Sequence, residues 1–498
     1  MLLYLVFIPV KVCSIRSYEG FLSSRINCGM TEMLDIYNQY VSLADTSSMF
    51  NDLSDQLPVL QKAVVQVDNF LIKLLSGLPF DSGIKRVVHK SKHINMGNTL
   101  ILAISVVLLI LSFGSAYGMR IELFSDKGQD KSDDGICKSM AEPHNYVCEE
   151  HTVRTGDGYI LGLQRIPVGQ SGGTSRDRPP VLLQHGILAD GTTWILLPPG
   201  KSLAFLLADN GFDVWIANSR GTASSGHVSL SPSDAAFWDW SWDKLASFDL
   251  PAAFAYVHQQ TKQRVHYVGY SQGSLIALAA LSKKHLLSML RSAALLSPIS
   301  YMGHISSPLV RVAAENFMAE RLYQLGHNEF NPIGDAATKM LKDICQKSGI
   351  DCSKFLTAFT GQNCCINKSI VQAFLNHKPQ SSSMKNMVHL SQMMRNGTIS
   401  MYNYGEKDEN IQHYGKPRPP SYDMKSIPND VPLFLSYGGA DALSDVKDVK
   451  LLLKSLSDHD GDKLVIQYQE DYAHLDFIMA ENAREIVYDP LVAFLTLQ

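Results

Sequence analysis

The stretch Arg264–Ser282, RVHYVGYSQGSLIALAALS, decides the fold. It opens with a short apolar run, Val265–Val268, passes through Gly269-Tyr270-Ser271-Gln272-Gly273, and continues into a helical run, Ser274–Ser282. A serine between two glycines in this spacing is G-x-S-x-G. Alone that pattern is weak, since a chain of this length meets it by chance about one time in ten. Its setting makes it specific. Strand, motif and helix in that order build a sharp turn that exposes a serine at the edge of a sheet. The turn strains the serine backbone, and glycines beside it avoid clashes. The hydroxyl then lies at a helix N-terminus, whose dipole favours developing negative charge. Ser271 is therefore the candidate nucleophile, with Gly269 and Gly273 as its supporting glycines.

Around this turn, short apolar runs alternate with helix-length segments. The runs are Val181–Gln184, Phe212–Ala217, Val265–Val268, Ala293–Leu296, Leu433–Tyr437 and Leu464–Tyr468. Strands spaced this way predict an α/β fold with a mostly parallel sheet wrapped by helices. The rhythm lapses between Ser297 and about Pro428, where the chain is richer in Met, Asn and Cys and helical in pattern. An insertion of that size, about 298–428, predicts a helical cap or lid over the C-terminal edge of the sheet. Open α/β sheets bind their ligands at that edge.

An unassisted serine is a poor nucleophile and needs a base and an orienting acid. In such a sheet they follow in the order serine, acid, histidine. Asp441 comes directly after the run Leu433–Tyr437, and His474 after Leu464–Tyr468. Both are expected on loops at the same edge as Ser271. Asp445 is a rival acid four residues on. Asp476 is too close to His474 in sequence to orient it and reads as support for the loop. The oxyanion of a tetrahedral intermediate needs backbone N–H donors, expected from Gln272 and from Ile187 in Gln184-His185-Gly186-Ile187. Gly186 lets the backbone approach the oxyanion, and His185, which precedes the serine, reads as a brace for that loop.

Composition bounds the alternatives. The chain has 498 residues, 45% hydrophobic and 18% charged, with a net charge of −4. That suits one large α/β domain with insertions plus an extra segment. The sequence has no basic stripe, no paired zinc-type Cys/His spacing and no HExxH, which argues against a nucleic-acid binder or a zinc hydrolase. The serine chemistry asks for no metal and no cofactor.

The stretch Leu100–Phe113 is continuously apolar. Lys85, Arg86, Lys90 and Lys92 precede it, and Gly114, Ser115, Ala116 and Gly118 follow. Basic region, apolar core and small residues in that order make a secretory signal within 96–118. Two readings stay open. In one, residues 1–95 are an alternative N-terminus and Met96 is the working start. In the other, the segment is an uncleaved anchor with the catalytic domain across the membrane. Within residues 1–95 only an amphipathic helix through Leu60, Val64, Val67, Leu71 and Leu74 is legible. Both readings put the rest of the chain in a secreted, lysosomal or vacuolar setting. Cysteine usage agrees, with six of eight cysteines after the apolar segment. An even count in an oxidising compartment suggests disulfides. The expected pairs are Cys137 with Cys148 and Cys345 with Cys352, and Asn367 and Asn396 begin glycosylation sequons.

These residues resemble the gastric and lysosomal acid lipase family, in particular its plant triacylglycerol lipase-like members. The resemblance runs from about Cys137 to the C-terminus. It rests on Cys148-Glu149-Glu150-His151, Asp157-Gly158-Tyr159-Ile160-Leu161, His185-Gly186-Ile187-Leu188 and Asn218-Ser219-Arg220-Gly221. It continues through Phe237-Trp238-Asp239-Trp240, the serine turn, Lys385-Asn386-Met387-Val388-His389-Leu390 and His474-Leu475-Asp476-Phe477. The resemblance implies an α/β-hydrolase fold with a cap, acting on acylglycerols or other acyl-ester lipids, steryl esters among them. It also implies Ser271, Asp441 and His474 as the triad. Tyr270 replaces a histidine of mammalian members, and Ala440, Ala442 and Ser444 alter the acid loop. Chain-length preference and pH optimum are therefore not carried over. The competing readings are a small-ester esterase or acyltransferase with the same triad, and a non-catalytic lipid-binding domain.

Secreted material should carry glycan on Asn367 or Asn396 and at least one disulfide. Non-reducing peptide mapping checks this; six cysteines that all alkylate without reductant would contradict it.

Overall fold

The computed structural model describes residues 135–174, 177–332, 353–377 and 379–498. The expectations for 1–95, for 96–118 and for Cys345 with Cys352 lie outside the described residues. Among the described residues no helix is long and apolar enough to cross a membrane.

The main sheet contains β1 Glu149–Arg154, β2 Tyr159–Ile166, β3 Pro180–Gln184, β4 Asp213–Ala217, β5 Ser225–His227, β6 Val265–Tyr270 and β7 Leu290–Leu296. A separate two-stranded sheet pairs β8 Glu329–Phe330 with β9 Ser382–Ser383. The main sheet is completed by β10 Leu433–Gly438 and β11 Leu464–Gln469. Its order is β1-β2-β4-β3-β6-β7-β10-β11, with β5 beside β2. From β4 to β11 every neighbour is parallel, whereas β1, β2 and β5 join antiparallel. The α/β class and the mostly parallel sheet expected from the sequence are the architecture found.

The central strands are apolar runs because both of their faces are covered. Leu182, Trp215, Tyr267, Leu295 and Leu435 enter one core, while Val181, Val214, Val268, Ala294 and Phe434 enter the other. Successive residues point to opposite faces, so one run feeds two cores. On one side lie α2 (Leu250–Thr261) and α3 (Gln272–Ser282), and on the other lies α1 (Leu203–Asp209). Every residue of α3 is buried, which is why its sequence has no polar face.

Between β7 and β10 the chain inserts α4 (Pro308–Glu315), α5 (Met318–Gln324), α6 (Ser353–Thr360), α7 (Lys368–Asn376), α8 (Met384–Asn396) and α9 (Lys407–Tyr414). The strands then resume, with α10 (Val446–Ser455) between β10 and β11, and α11 (Asp476–Met479) and α12 (Asp489–Leu497) after them.

The antiparallel end of the sheet is tied to the centre by one buried cation. Arg220 donates from Nε and its backbone N–H to Asp249 at 2.8 and 3.0 Å, and from Nη1 to Asp157 Oδ2 at 2.8 Å. Its guanidinium lies 3.8 Å from the centre of the Tyr159 ring. Arg220 and Asp249 are both buried. Replacing Arg220 by Met leaves Asp249 as an uncompensated buried charge. We expect a loss of about 3–5 kcal/mol in urea unfolding; a loss under about 1 kcal/mol, the range of an exposed pair, would contradict the assignment.

Candidate active site

The site is built on the C-terminal edge of five parallel strands, β3, β6, β7, β10 and β11. At the end of β6 the backbone turns at Ser271 with φ 55° and ψ −117° and enters α3. The turn is packed hard against its neighbours. A Cβ at Gly273 would lie 2.5 Å from the Gln184 carbonyl oxygen, and one at Gly186 would lie 2.9 Å from the Ser271 Cβ. Only glycine backbone lets β3, β6 and α3 approach this closely. The Ser271 N–H donates to the Leu296 carbonyl at 3.1 Å, which fixes the turn to β7.

The structure brings Ser271, His474 and Asp441 together. The Ser271 hydroxyl lies 2.9 Å from His474 Nε2. His474 Nδ1 lies 3.0 and 3.1 Å from the two Asp441 carboxylate oxygens. All three residues are buried. Asp441 Oδ1 also accepts the N–H groups of Leu443 and Ser444, both at 2.8 Å. Burial pushes the Asp441 carboxyl up, but the adjacent imidazole and the hydrogen bonds from His474, Ser297 and Ser444 outweigh it and hold the pKa below its ordinary value. The group stays ionised at neutral pH, as an orienting acid must.

The rival acid is elsewhere. Asp445 caps α10, accepting the Lys447 N–H at 2.8 Å. Asp476 accepts the N–H groups of Ala473, Cys364 and Cys365 at 2.8, 3.1 and 3.2 Å. It thus joins the histidine loop to the insertion. The Tyr270 hydroxyl donates to the His474 carbonyl at 3.0 Å, and the His474 N–H donates to the Thr360 carbonyl at 3.2 Å.

The expected oxyanion donors flank the serine. Gln272 opens α3, and Ile187 follows the Gly186 backbone that abuts Ser271. Neither N–H donates a backbone hydrogen bond among the described residues. His185 braces this loop: its Nε2 accepts the Ser219 N–H at 3.1 Å, and its Nδ1 donates to the Gly186 carbonyl at 2.7 Å. Burial holds it in the neutral form.

Three features were not anticipated. The Ser297 hydroxyl donates to Asp441 Oδ2 and lies 2.7 Å from His474 Nδ1. Asn386 of α8 donates to the Gln272 side-chain carbonyl at 2.9 Å and accepts the Trp242 N–H at 2.8 Å, linking the insertion to the serine turn. Cys364 and Cys365 are bonded to each other. The Lys385-Asn386 motif was visible, but nothing in it signalled that partner. The expected pair Cys137 and Cys148 is bonded, with the Cα atoms 5.3 Å apart. Asn396 is exposed at the end of α8, whereas Asn367 caps α7 and donates to Glu481 at 2.6 Å.

Comparison with known proteins agrees with the fold. Residues 137–197 match the model described as a partial alpha/beta-hydrolase lipase region, and residues 179–479 match that of the alpha/beta hydrolase fold. The chain is 47% identical over 400 residues to "Triacylglycerol lipase 2" of Arabidopsis thaliana, covering 79% of this chain and 96% of that protein. It is 41% identical to "Triacylglycerol lipase 1" of the same plant, covering 72% and 90%. It is 35% identical to "Gastric triacylglycerol lipase" of Rattus norvegicus, covering 78% and 99%.

The contrast between the two acids is testable. Asp441→Asn should lower kcat on the order of 10³–10⁴-fold, by analogy with loss of the orienting acid in a serine triad. Asp445→Asn should change it less than about threefold, since a cap contributes only to local stability. Steady-state kinetics on a soluble ester reads both; reversed magnitudes would make Asp445 the acid.

Proposed function

The chain belongs to the lipase family of the α/β hydrolases, and on that premise we propose that it hydrolyses acylglycerols through an acyl-enzyme on Ser271. As a family member it is a hydrolase of carboxylic esters. The single observation that carries the residue assignment is the pair of contacts on His474, 2.9 Å to Ser271 and 3.0 Å to Asp441.

In the first half-reaction His474 Nε2 takes the Ser271 proton as Oγ attacks the ester carbonyl. The carbonyl oxygen becomes an oxyanion facing the Ile187 and Gln272 N–H groups. Collapse breaks the bond to the alcohol oxygen, which leaves with the proton from His474. The second half-reaction repeats these steps with water as nucleophile. The acid is released and Ser271 regains its proton. Asp441 keeps the Nδ1–H tautomer and stabilises the imidazolium without taking the proton itself.

The insertion supports a lipid substrate. On α4, Leu309 and Val312 are exposed, and Phe317 and Leu325 are exposed at the two ends of α5. In a lid, an apolar surface of this kind meets an acyl-chain interface. The bonded Cys137 and Cys148 and the exposed Asn396 support an oxidising, secretory setting.

A chain-length series of glycerol esters, assayed as monomers and as emulsions, tests the substrate class. We expect the highest rate on emulsified long-chain acylglycerols; a preference for soluble short-chain esters would make the protein an esterase. Ser271→Ala should lower either activity by roughly 10⁴-fold or more, and retention of more than about a tenth would overturn the nucleophile assignment.

A further inference from the structure

Two serines touch the His474 imidazole, one on each ring nitrogen. Ser271 faces Nε2, and Ser297 faces Nδ1 at 2.7 Å. Both have backbone in the left-handed half of conformational space, φ 55° at Ser271 and φ 46° at Ser297. A non-glycine residue there is uncommon and carries strain, and such residues gather at functional sites. Ser297 is the first residue after β7, and its N–H donates to the Ser436 carbonyl at 2.8 Å. Its neighbour Pro298 accepts the Ser444 hydroxyl at 2.7 Å, so the end of β7 and the acid loop are locked together. The Ser297 side chain is fully buried. A glycine would satisfy this backbone without strain; the serine adds a hydroxyl, and that hydroxyl meets Asp441 and His474.

We propose that Ser297 is a positioning residue for His474, and that its hydroxyl sets the acid limb of the hydrolysis profile. The inference rests on the triad reading above. The hydroxyl has one proton, and it donates that proton to Asp441 Oδ2. Its oxygen lone pair then faces the proton on His474 Nδ1. The arrangement fixes the productive tautomer from a second direction.

The donated bond is charge-assisted and therefore the stronger of the two. It stabilises ionised Asp441 and draws part of its charge away from the imidazole. The other groups facing the pair are few. Tyr270 contributes a ring 5.2 Å from the His474 ring, with its hydroxyl committed to the His474 carbonyl. Asp476, on the histidine loop, is committed to three backbone N–H groups. From the insertion, Thr360 presents only its carbonyl to the His474 N–H. None of these can replace a donor to Asp441 Oδ2. Without Ser297 the full carboxylate charge acts on His474, which then holds its proton more tightly. The basic form that activates Ser271 appears only at higher pH.

The test is the pH dependence of kcat/KM on a soluble ester for the full chain, for Ser297→Ala and for Ser297→Gly. Ser271→Ala is run alongside, and thermal unfolding is followed by circular dichroism. Alanine removes the hydroxyl and keeps the Cβ, while glycine removes both and relieves the backbone. We expect both variants to move the acid limb upward by about 0.5 pH unit or more, with a plateau loss smaller than that of Asp441→Asn. An acid limb that stays in place or moves down, whatever the melting temperature does, overturns the proposal and leaves Ser297 a packing residue. If Ser271→Ala keeps its activity, the triad reading fails and this inference falls with it.

Discussion

Ser271 can present its hydroxyl only because β6 turns into α3 within one residue, with the backbone at φ 55°. Everything else in the site is arranged around that turn. Its strain is held by close packing on three sides: Gln184 against Gly273, Gly186 against the serine itself, and Leu296 accepting the serine N–H. The first two contacts come from β3 and the loop that follows it, and the third comes from β7. The turn is therefore a property of the sheet rather than of a local loop, and a parallel sheet closed on both faces by helices is stiff enough to hold it.

The same edge sets the histidine. His474 is held by its side chain between Ser271 and Asp441 and by its backbone between Tyr270 and Thr360. Thr360 belongs to the insertion, as do Cys364 and Cys365, which bind Asp476, and Asn386, which binds Gln272. The helices between β7 and β10 thus reach both the base and the serine turn. The insertion is thereby tied to the base and to the serine turn by direct hydrogen bonds. Such bonds are costly to leave unmade, which favours a single geometry.

The parallel half of the sheet was legible because its strands read as apolar runs: β3, β4, β6 and β10 are buried along their whole length, and the edge strand β11 is apolar although Val465, Ile466 and Tyr468 are exposed. The candidate triad was legible for a related reason: each member follows such a run. The antiparallel end was not. In β1 exposure alternates along Glu149–Arg154, and β2 contains Gln164 and Arg165, whose partners Glu150 and Asp213 are not adjacent in sequence. Ser297 carries no signal in the sequence because a serine after a strand is ordinary; only the torsion angle and the position of Asp441 single it out. Asn386 stands in a sequence motif, but its role depends on Gln272, 114 residues away. Polar pairings at that distance leave no period in the sequence.

If one serine, strained into the sheet edge and activated by His474, carries the chemistry, it should be the one group that a serine-directed reagent finds. Treatment of the intact protein with a serine-directed phosphonate, followed by peptide mass mapping, tests it most directly. A single adduct is expected, on the peptide containing Ser271, formed by folded protein and not after denaturation. An adduct on any other residue, or none at all on folded protein, would contradict it.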